Sequence, residues 1–574
     1  MGQKVVIIGG VAAGPKTASR LMRLAPEAEV TIIDQDNLIS YGGCGIPYYV
    51  SGDVSDEKEL RNTSFHATRD EKFFHDAKGV KVKTRTRALA IDRAGKKVEL
   101  EDLNDNKKYA IEYDKLVLCT GSQPVILPIP GADMRGVYTV SDLHKAIAIK
   151  DRLAKGEIGK AVVIGGGAIG IEMAEAFADL WGVETTLIEF MPHLLPNILD
   201  WPHATMLANH MRRHGVNVHV NEGAKSIEAD ADGNLYKVVT TNREIETDIV
   251  IMAAGVRPRS HLAREAGLEV SPFGGIVVNN RLQTSDPDIY AAGDCIETNH
   301  LVSGKKSYAP MGSLANREGR VVADNLAGIP STFNGWIGSF IIKAFECCTG
   351  STGMSLKAAK AEGFDADFVI TAQSDRAHFF PEQTVIPLKM VFDRRSRRVL
   401  GLQGFGPMGD GILARIDAAA GLIARGAVIE DFIDLEMAYA PPFATALDAL
   451  NATGNVADNK ACDRLRTVSI EEYLDWMGDM DSKEDWAALD IRHPAESEIF
   501  VKKFGQEKWV AVPYMQIRAR YEELPKDKNL IIICDAGTRS YEVQRYLDYK
   551  GYRNLVLGGG FNCIRRIGVD WWPN

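Results

Sequence analysis

Two copies of one strand-turn-helix-strand pattern constrain this chain more than anything else in it, because each copy calls for glycine where the strand turns into the helix. The clearer copy, AVVIGGGAIGIEMAEAF, sets Gly165, Gly167 and Gly170 between an apolar strand and a helix, and VETTLIE then ends in Glu189. Missing side chains at such a turn let the backbone and the helix N-terminus approach a pyrophosphate, while an acid about 20 residues on bonds a ribose hydroxyl. The other copy runs KVVIIGGVAAG, a helix TASRLMRL and a strand EVTIID, with Gly9, Gly14 and the acid Asp34. Its middle glycine is replaced by Val11.

A carboxylate at Glu189 repels a 2'-phosphate, so NADH is the expected donor at the second turn. With 574 residues, the chain is long enough for about three to five domains with large cores. Its formal charge of -10 and the absence of a dense basic run argue against a nucleic-acid partner. No stretch approaches the roughly 20 apolar residues that span a bilayer. The opening KVVIIGG reads as a strand rather than an export signal, and a soluble cytoplasmic protein is expected. Eight cysteines without Cys-x-x-Cys spacing indicate neither a disulfide framework nor zinc, which leaves individual thiol chemistry. His75, His193 and His300 stand singly, and no metal is expected.

Three further segments, YDKLVLCTGSQP (113–124), DIVIMAAGVRPR (248–259) and TSDPDIYAAGDC (284–295), are strands running into tight small-residue turns. A second dinucleotide unit nested in a first, with a returning segment ending Gly293-Asp294, resembles the two-dinucleotide-binding-domain flavoproteins over residues 1–325. The resemblance implies FAD on Gly9, Gly14, Asp34, Thr120, Gly121, Gly293 and Asp294, with the aspartate on the ribityl chain. It implies NADH on Gly165, Gly167, Gly170, Glu189 and Gly255.

SYGGCGIPYY places Cys44 among glycines just after the Asp34 strand, near a helix start that should lower its pKa toward thiolate. No second cysteine lies a turn away, so Cys44 must form a mixed disulfide or persulfide, or be oxidised to a sulfenic acid. The segment resembles the single-cysteine branch of the flavoprotein disulfide reductases: coenzyme A disulfide reductases, NADH-dependent persulfide reductases, and NADH oxidases and peroxidases. Residues 326–446 resemble that branch's dimerisation domain, ending in YAPPF, which implies a homodimer with Tyr439 reaching the partner's active site. Arg23, Ser40 and Lys72 match the branch's coenzyme A contacts. Departures stand at Gly43, Asn316, Phe380 and Leu447, where relatives carry asparagine, histidine, tyrosine and lysine, and they remove polar recognition of the carrier.

Residues 447–466, including the polar NATGNVADNK, read as a linker. A compact domain then runs from 467 to 574, in which a strand (NLIIIC) leads into CDAGTRSYEVQRYLDYKG. That order aims backbone N–H groups and a helix dipole at Cys534 and stabilises an anionic sulfur. The pairing of D-I-R-x-P with the six-residue loop Cys534 to Arg539 resembles rhodanese domains, which implies a sulfane-sulfur carrier. Asp535 should raise the thiol pKa and Arg539 oppose it.

The expected architecture is α/β: two nested Rossmann-like domains, an α+β dimerisation domain and a C-terminal α/β rhodanese-like domain. The boundaries are 1–112 with 245–325 for FAD, 113–244 for NADH, 326–446, and 467–574. The expected chemistry is reduction of a small thiol, persulfide or disulfide substrate by NADH through FAD and Cys44, with coenzyme A as a candidate carrier. An NADH oxidase or peroxidase, or a sulfurtransferase with a regulatory flavin half, are the alternatives.

Overall fold

The computed structural model describes residues 2–572. The chain divides into two compact units, Met1–Phe190 with Gly215–Trp336, and Met191–His214 with Ile337–Asn574. The first unit holds two five-stranded parallel sheets built to one plan. In one, the strand order is Ile289–Ala291, Lys115–Leu118, Lys4–Ile8, Glu29–Ile33, Lys81–Lys83; in the other it is Val216–Val220, Glu184–Glu189, Lys160–Ile164, Ile249–Met252, Val137–Tyr138. The strand before each glycine turn, KVVII or KAVVI, is central and almost wholly buried, as expected where helices cover both faces of a parallel sheet.

Strand pairing corrects the expected boundaries at 113 and 245. Lys115–Leu118 pairs with Lys4–Ile8 and so belongs to the first sheet, whereas Ile249–Met252 pairs with Lys160–Ile164 and belongs to the second. The chain crosses between them along a short antiparallel ribbon in which Ser122–Pro124 faces Val256–Pro258. Helix Gly312–Leu326 packs on helix Ala13–Leu24 so closely that a β-carbon at Gly319 would lie 2.7 Å from the Ala13 carbonyl oxygen.

The second unit contains an antiparallel sheet in the order Phe340–Ala344, Cys347–Gly353, Val399–Pro407, Val385–Asp393, Ala366–Ser374. It also contains a parallel sheet in the order Thr467–Val468, Asn554–Leu557, Asn529–Ile533, Trp486–Asp490, Trp509–Ala511. Between them the expected linker is instead a helix, Ala449–Ala461, capped by Asp448. Its small polar residues are buried and used: Asn451 Nδ2 donates to the carbonyls of Phe432 and Leu435, and Thr453 shares a hydrogen bond with Thr371. Asp448 is also the buried partner of Arg415. Polar composition looked like a linker because the helix hides polar groups that find partners only in the fold. Among the described residues, no helix is long and apolar enough to cross a membrane.

Candidate functional site: two glycine cradles and two thiols

The two glycine turns of the first unit differ in one informative place. At the last glycine of each turn the reason for glycine is contact, since a β-carbon at Gly14 or Gly170 would sit 2.0 or 1.9 Å from the carbonyl oxygen of Gly9 or Gly165. At the middle position nothing lies within 4 Å of a β-carbon built on Gly167, so that side of the turn is an open cradle, and the equivalent Val11 projects an exposed side chain. Each acid is tied back to its turn: Gly10 N–H donates to Asp34 Oδ2 at 2.6 Å, and Gly166 N–H donates to Glu189 Oε2 at 2.6 Å. A carboxylate held at the mouth of an open glycine turn fits the ribose and pyrophosphate of a dinucleotide.

The remaining expected cofactor residues gather round the ribbon between the two sheets. Thr120 Oγ1 donates to the Arg259 carbonyl, Arg259 N–H donates to the Gly121 carbonyl at 2.9 Å, and Val125 N–H donates to the Gly255 carbonyl at 2.9 Å. Ser122 Oγ donates to Asp294 Oδ2 at 3.1 Å, while burial raises the Asp294 pKa above the ordinary carboxylate value. Gly293 N–H donates to Glu318 at 2.7 Å, and burial pushes the Glu318 carboxyl up to about 7. Glu318 was not anticipated, although the sequence carries a signal: it occupies a core position of its helix, four residues after Leu314.

Cys44 lies in a single turn, Gly43–Gly45, that leads into helix Ile46–Ser51, whose first residues Ile46 and Pro47 are buried. Its sulfur faces the first residue of helix Gly312–Leu326, because a β-carbon on Gly312 would lie 3.6 Å from Cys44 Sγ. The sequence did not bring these two segments together. The expected lowering of the Cys44 pKa is not observed; burial, followed by the charges of Glu172 and Asp294, pushes the thiol up. Although Cys44 is solvent-accessible, the walls around it still penalise a thiolate. The positive ends of the helices near it pull in the opposite direction. Glu172 lies on the helix after the second glycine turn, and burial pushes its carboxyl up to about 7. Tyr48, one turn beyond Cys44, is pushed by burial up to about 12 and so keeps its proton as a donor.

In the second unit, strand Asn529–Ile533 delivers Cys534 into a buried position at the head of helix Thr538–Tyr549. Gly537 N–H donates to Cys534 Sγ at 3.1 Å, which its left-handed φ of 91° makes geometrically available. The neighbouring acid is not a bare charge. Arg539 donates to Asp535 at 2.5 Å, and Arg565 approaches the same carboxylate at 3.9 Å. The expected opposition of Asp535 and Arg539 across the thiol is thus a direct ion pair. A second helix, Gly560–Ile567, braces the loop from behind through Phe561 N–H to the Cys534 carbonyl at 3.0 Å. The D-I-R motif is structural: Arg492 grips Asp490 through two bonds of 3.0 and 2.7 Å, both residues are buried, and Trp509 Nε1 donates to the same carboxylate.

Residues 3–313 match the family described as pyridine nucleotide-disulphide oxidoreductase, and residues 341–450 match its dimerisation domain. The chain belongs to the pyridine nucleotide-disulphide oxidoreductase family. It is 34% identical over 450 residues to the NAD(P)H coenzyme A polysulfide/persulfide reductase of Pyrococcus horikoshii, covering 78% of this chain and 97% of that relative. Among solved structures it resembles a NAD-dependent persulfide reductase from A. fulgidus, with 37% identity and a TM-score of 0.91 over 98% of this chain and 99% of that one. It also resembles the reduced Bacillus anthracis CoADR-RHD, at 30% identity and a TM-score of 0.90, over 99% of this chain and 98% of that one. The chain is therefore a FAD- and NAD(P)H-dependent oxidoreductase.

Within this pyridine nucleotide-disulphide oxidoreductase the expected carrier contacts lie on different elements. Ser40 is buried and strained at φ 51°, its N–H donating to the Gly10 carbonyl at 2.7 Å. Arg23 is exposed at the end of helix Ala13–Leu24, and Lys72 is exposed and pairs with Asp76. Tyr439 is exposed in the second unit, as are Phe443 and Leu447, while Ala377 N–H donates to the Pro441 carbonyl at 3.2 Å and so holds the YAPPF segment beside the HFFP turn.

Proposed function

We propose that this flavoenzyme uses NADH to reduce persulfides, polysulfides or low-molecular-weight disulfides of the coenzyme A type through Cys44. Residues 467–574 form a rhodanese-like domain whose Cys534 carries sulfane sulfur. The protein works as a cytoplasmic homodimer, in which Tyr439 serves the partner's site. The observation that carries this reading is the Cys44 sulfur set against the start of helix Gly312–Leu326, in the unit that also holds both glycine cradles. The names borne by the Pyrococcus and A. fulgidus relatives support it, as does Glu189, which favours NADH over NADPH by charge.

Cys44 attacks the sulfane sulfur of R–S–SH, forming Cys44–S–SH and expelling RS⁻. Two electrons and one proton then restore the Cys44 thiolate and release hydrogen sulfide. Bound FAD supplies the electron pair, drawn from NADH. Gly9, Gly14, Asp34, Thr120, Gly121, Gly293 and Asp294 hold the flavin nucleotide, and Gly165, Gly167, Gly170, Glu189 and Gly255 hold NADH. Arg23, Ser40 and Lys72 serve the carrier thiol. At Cys534, the Gly537 N–H steadies the sulfur while Arg539 and Arg565 neutralise Asp535.

NADH consumption measured in parallel with polysulfide, coenzyme A persulfide, coenzyme A disulfide, peroxide and oxygen tests the reading. Turnover with the sulfur substrates should exceed that with oxygen and peroxide and should vanish in Cys44→Ser. Equal turnover on oxygen alone, or survival of sulfur-dependent turnover in that variant, overturns it.

A further inference from the structure

Outside both thiol sites, the second unit brings together a helix and a hairpin turn in a way the proposed chemistry does not use. Strands Phe340–Ala344 and Cys347–Gly353 are joined by Phe345 and Glu346, with Ala344 opposite Cys347. Phe345 adopts a left-handed φ of 53°, uncommon for a bulky side chain, and its ring stacks on His214 with centroids 4.4 Å apart. Helix Trp201–Arg213 presents His210, and His214 follows one turn later. The result is that His210, Glu346 and Cys347 each offer a ligand atom, with those atoms all within 4.8 Å of one another.

Three details separate this cluster from an ordinary surface ion pair. His210 Nε2 is buried with no hydrogen-bond partner, and it stands 3.6 Å from Glu346 Oε2. That is too long for a good hydrogen bond. It is, however, close to the edge of a tetrahedron around zinc, since bonds of about 2.0–2.3 Å place ligand atoms roughly 3.3–3.8 Å apart. The His210 imidazole also lies near the Ala344 carbonyl, and His214 Nδ1 bonds the His210 carbonyl at 2.9 Å. The His214 anchor fixes the orientation of its ring, as outer partners do for histidines around metals. Finally, His214 Nε2 lies 2.9 Å from Glu346 Oε2, where it orients the carboxylate. The nearby Arg566 is engaged elsewhere, donating to the carbonyls of Val385 and Asn562 at 2.8 and 3.0 Å.

We infer that His210 Nε2, a Glu346 oxygen and Cys347 Sγ bind a zinc ion, with His214 as the positioning residue for Glu346. Nitrogen, oxygen and sulfur donors together suit zinc among the common divalent ions. Three protein ligands leave a fourth position open on the exposed side of Glu346. Binding exchanges the Cys347 thiol proton for a metal–sulfur bond and releases that proton to solvent.

The test uses the full-length flavin-loaded protein carrying Cys44→Ser and Cys534→Ser, so that neither reactive thiol competes for metal. After chelation and exchange it is titrated with Co(II) and then Zn(II). One equivalent of Co(II) should bind, with a thiolate-to-cobalt charge-transfer band that one equivalent of Zn(II) abolishes. Cys347→Ser should remove the band, and His210→Ala should weaken Zn(II) binding about tenfold or more. Glu346→Gln, at an exposed turn that tolerates substitution, gives the decision if either half-buried variant fails to fold. It should likewise weaken Zn(II) binding about tenfold or more. Absence of stoichiometric binding, or binding unchanged in Glu346→Gln, overturns the site.

Discussion

Cys44 and Cys534 each sit where the chain turns into a helix, but their surroundings are opposed. Cys44 is open to solvent, and the charged groups that weigh on it, Glu172 and Asp294, disfavour its thiolate. Cys534 is buried, receives the Gly537 N–H, and has the adjacent acid Asp535 neutralised by Arg539 and Arg565. A thiol that meets substrates of many shapes has to remain accessible, and here accessibility coexists with poor charge stabilisation. A thiol that only parks one sulfur can be enclosed by amides. The contrast separates the proposed reductive centre from the proposed carrier on electrostatic grounds, before any substrate is named.

The comparison breaks first at Cys44. Cys44→Ser should lower sulfur-dependent NADH oxidation by about a thousandfold or more while the protein stays yellow and NADH still bleaches it, as judged by stopped-flow absorbance. Cys534→Ser should abolish sulfur transfer from thiosulfate yet leave NADH reduction of a small soluble disulfide within about twofold. A parallel fall in both would mean that the thiols do not act separately. Asp490→Ala strands the buried Arg492 guanidinium and should cost about 3–5 kcal/mol in denaturant unfolding followed by C-terminal tryptophan fluorescence, with little effect on flavin content. Glu189→Ser should shift the NADH-to-NADPH ratio of kcat/KM by about tenfold to a hundredfold toward NADPH.

The smallest expected effect sharpens the electrostatic half of the contrast. Glu172, titrating at about 7, is ionised above that pH and then opposes the Cys44 thiolate, which raises the thiol pKa. Glu172→Gln removes that charge, so thiolate should persist to lower pH. The acid limb of the pH–rate curve should move down by about half a unit to one unit. An unmoved or upward-shifted limb would show that Glu172 does not set the reactivity of Cys44.

Much of this molecule was legible in its sequence because glycine spacing and apolar runs are local signals. Gly165, Gly167 and Gly170 stand where the motif requires, and even Val11 falls at the one turn position whose outward face is open. What escaped depends on long-range packing. The Cys44 pKa was misjudged because helix position is readable along the chain, whereas the acids that face the sulfur come from residues 172 and 294. The sheet boundaries at 113 and 245 were misplaced because which parallel sheet a short apolar strand joins is settled by pairing. His210 and His214 went unremarked because their partners, Glu346 and Cys347, lie more than a hundred residues downstream.

Helix Ala449–Ala461 bears on how the protein can be dissected. Cutting after residue 446, the boundary that composition suggests, would discard Asp448, the partner that Arg415 grips from inside the dimerisation sheet's covering helix. The shortened product would keep a guanidinium sealed away from water with its counter-ion gone, and would misbehave for reasons unrelated to sulfur. A dissection meant to ask what Cys534 contributes should therefore stop beyond Ala461, or leave the backbone whole and change the thiol alone.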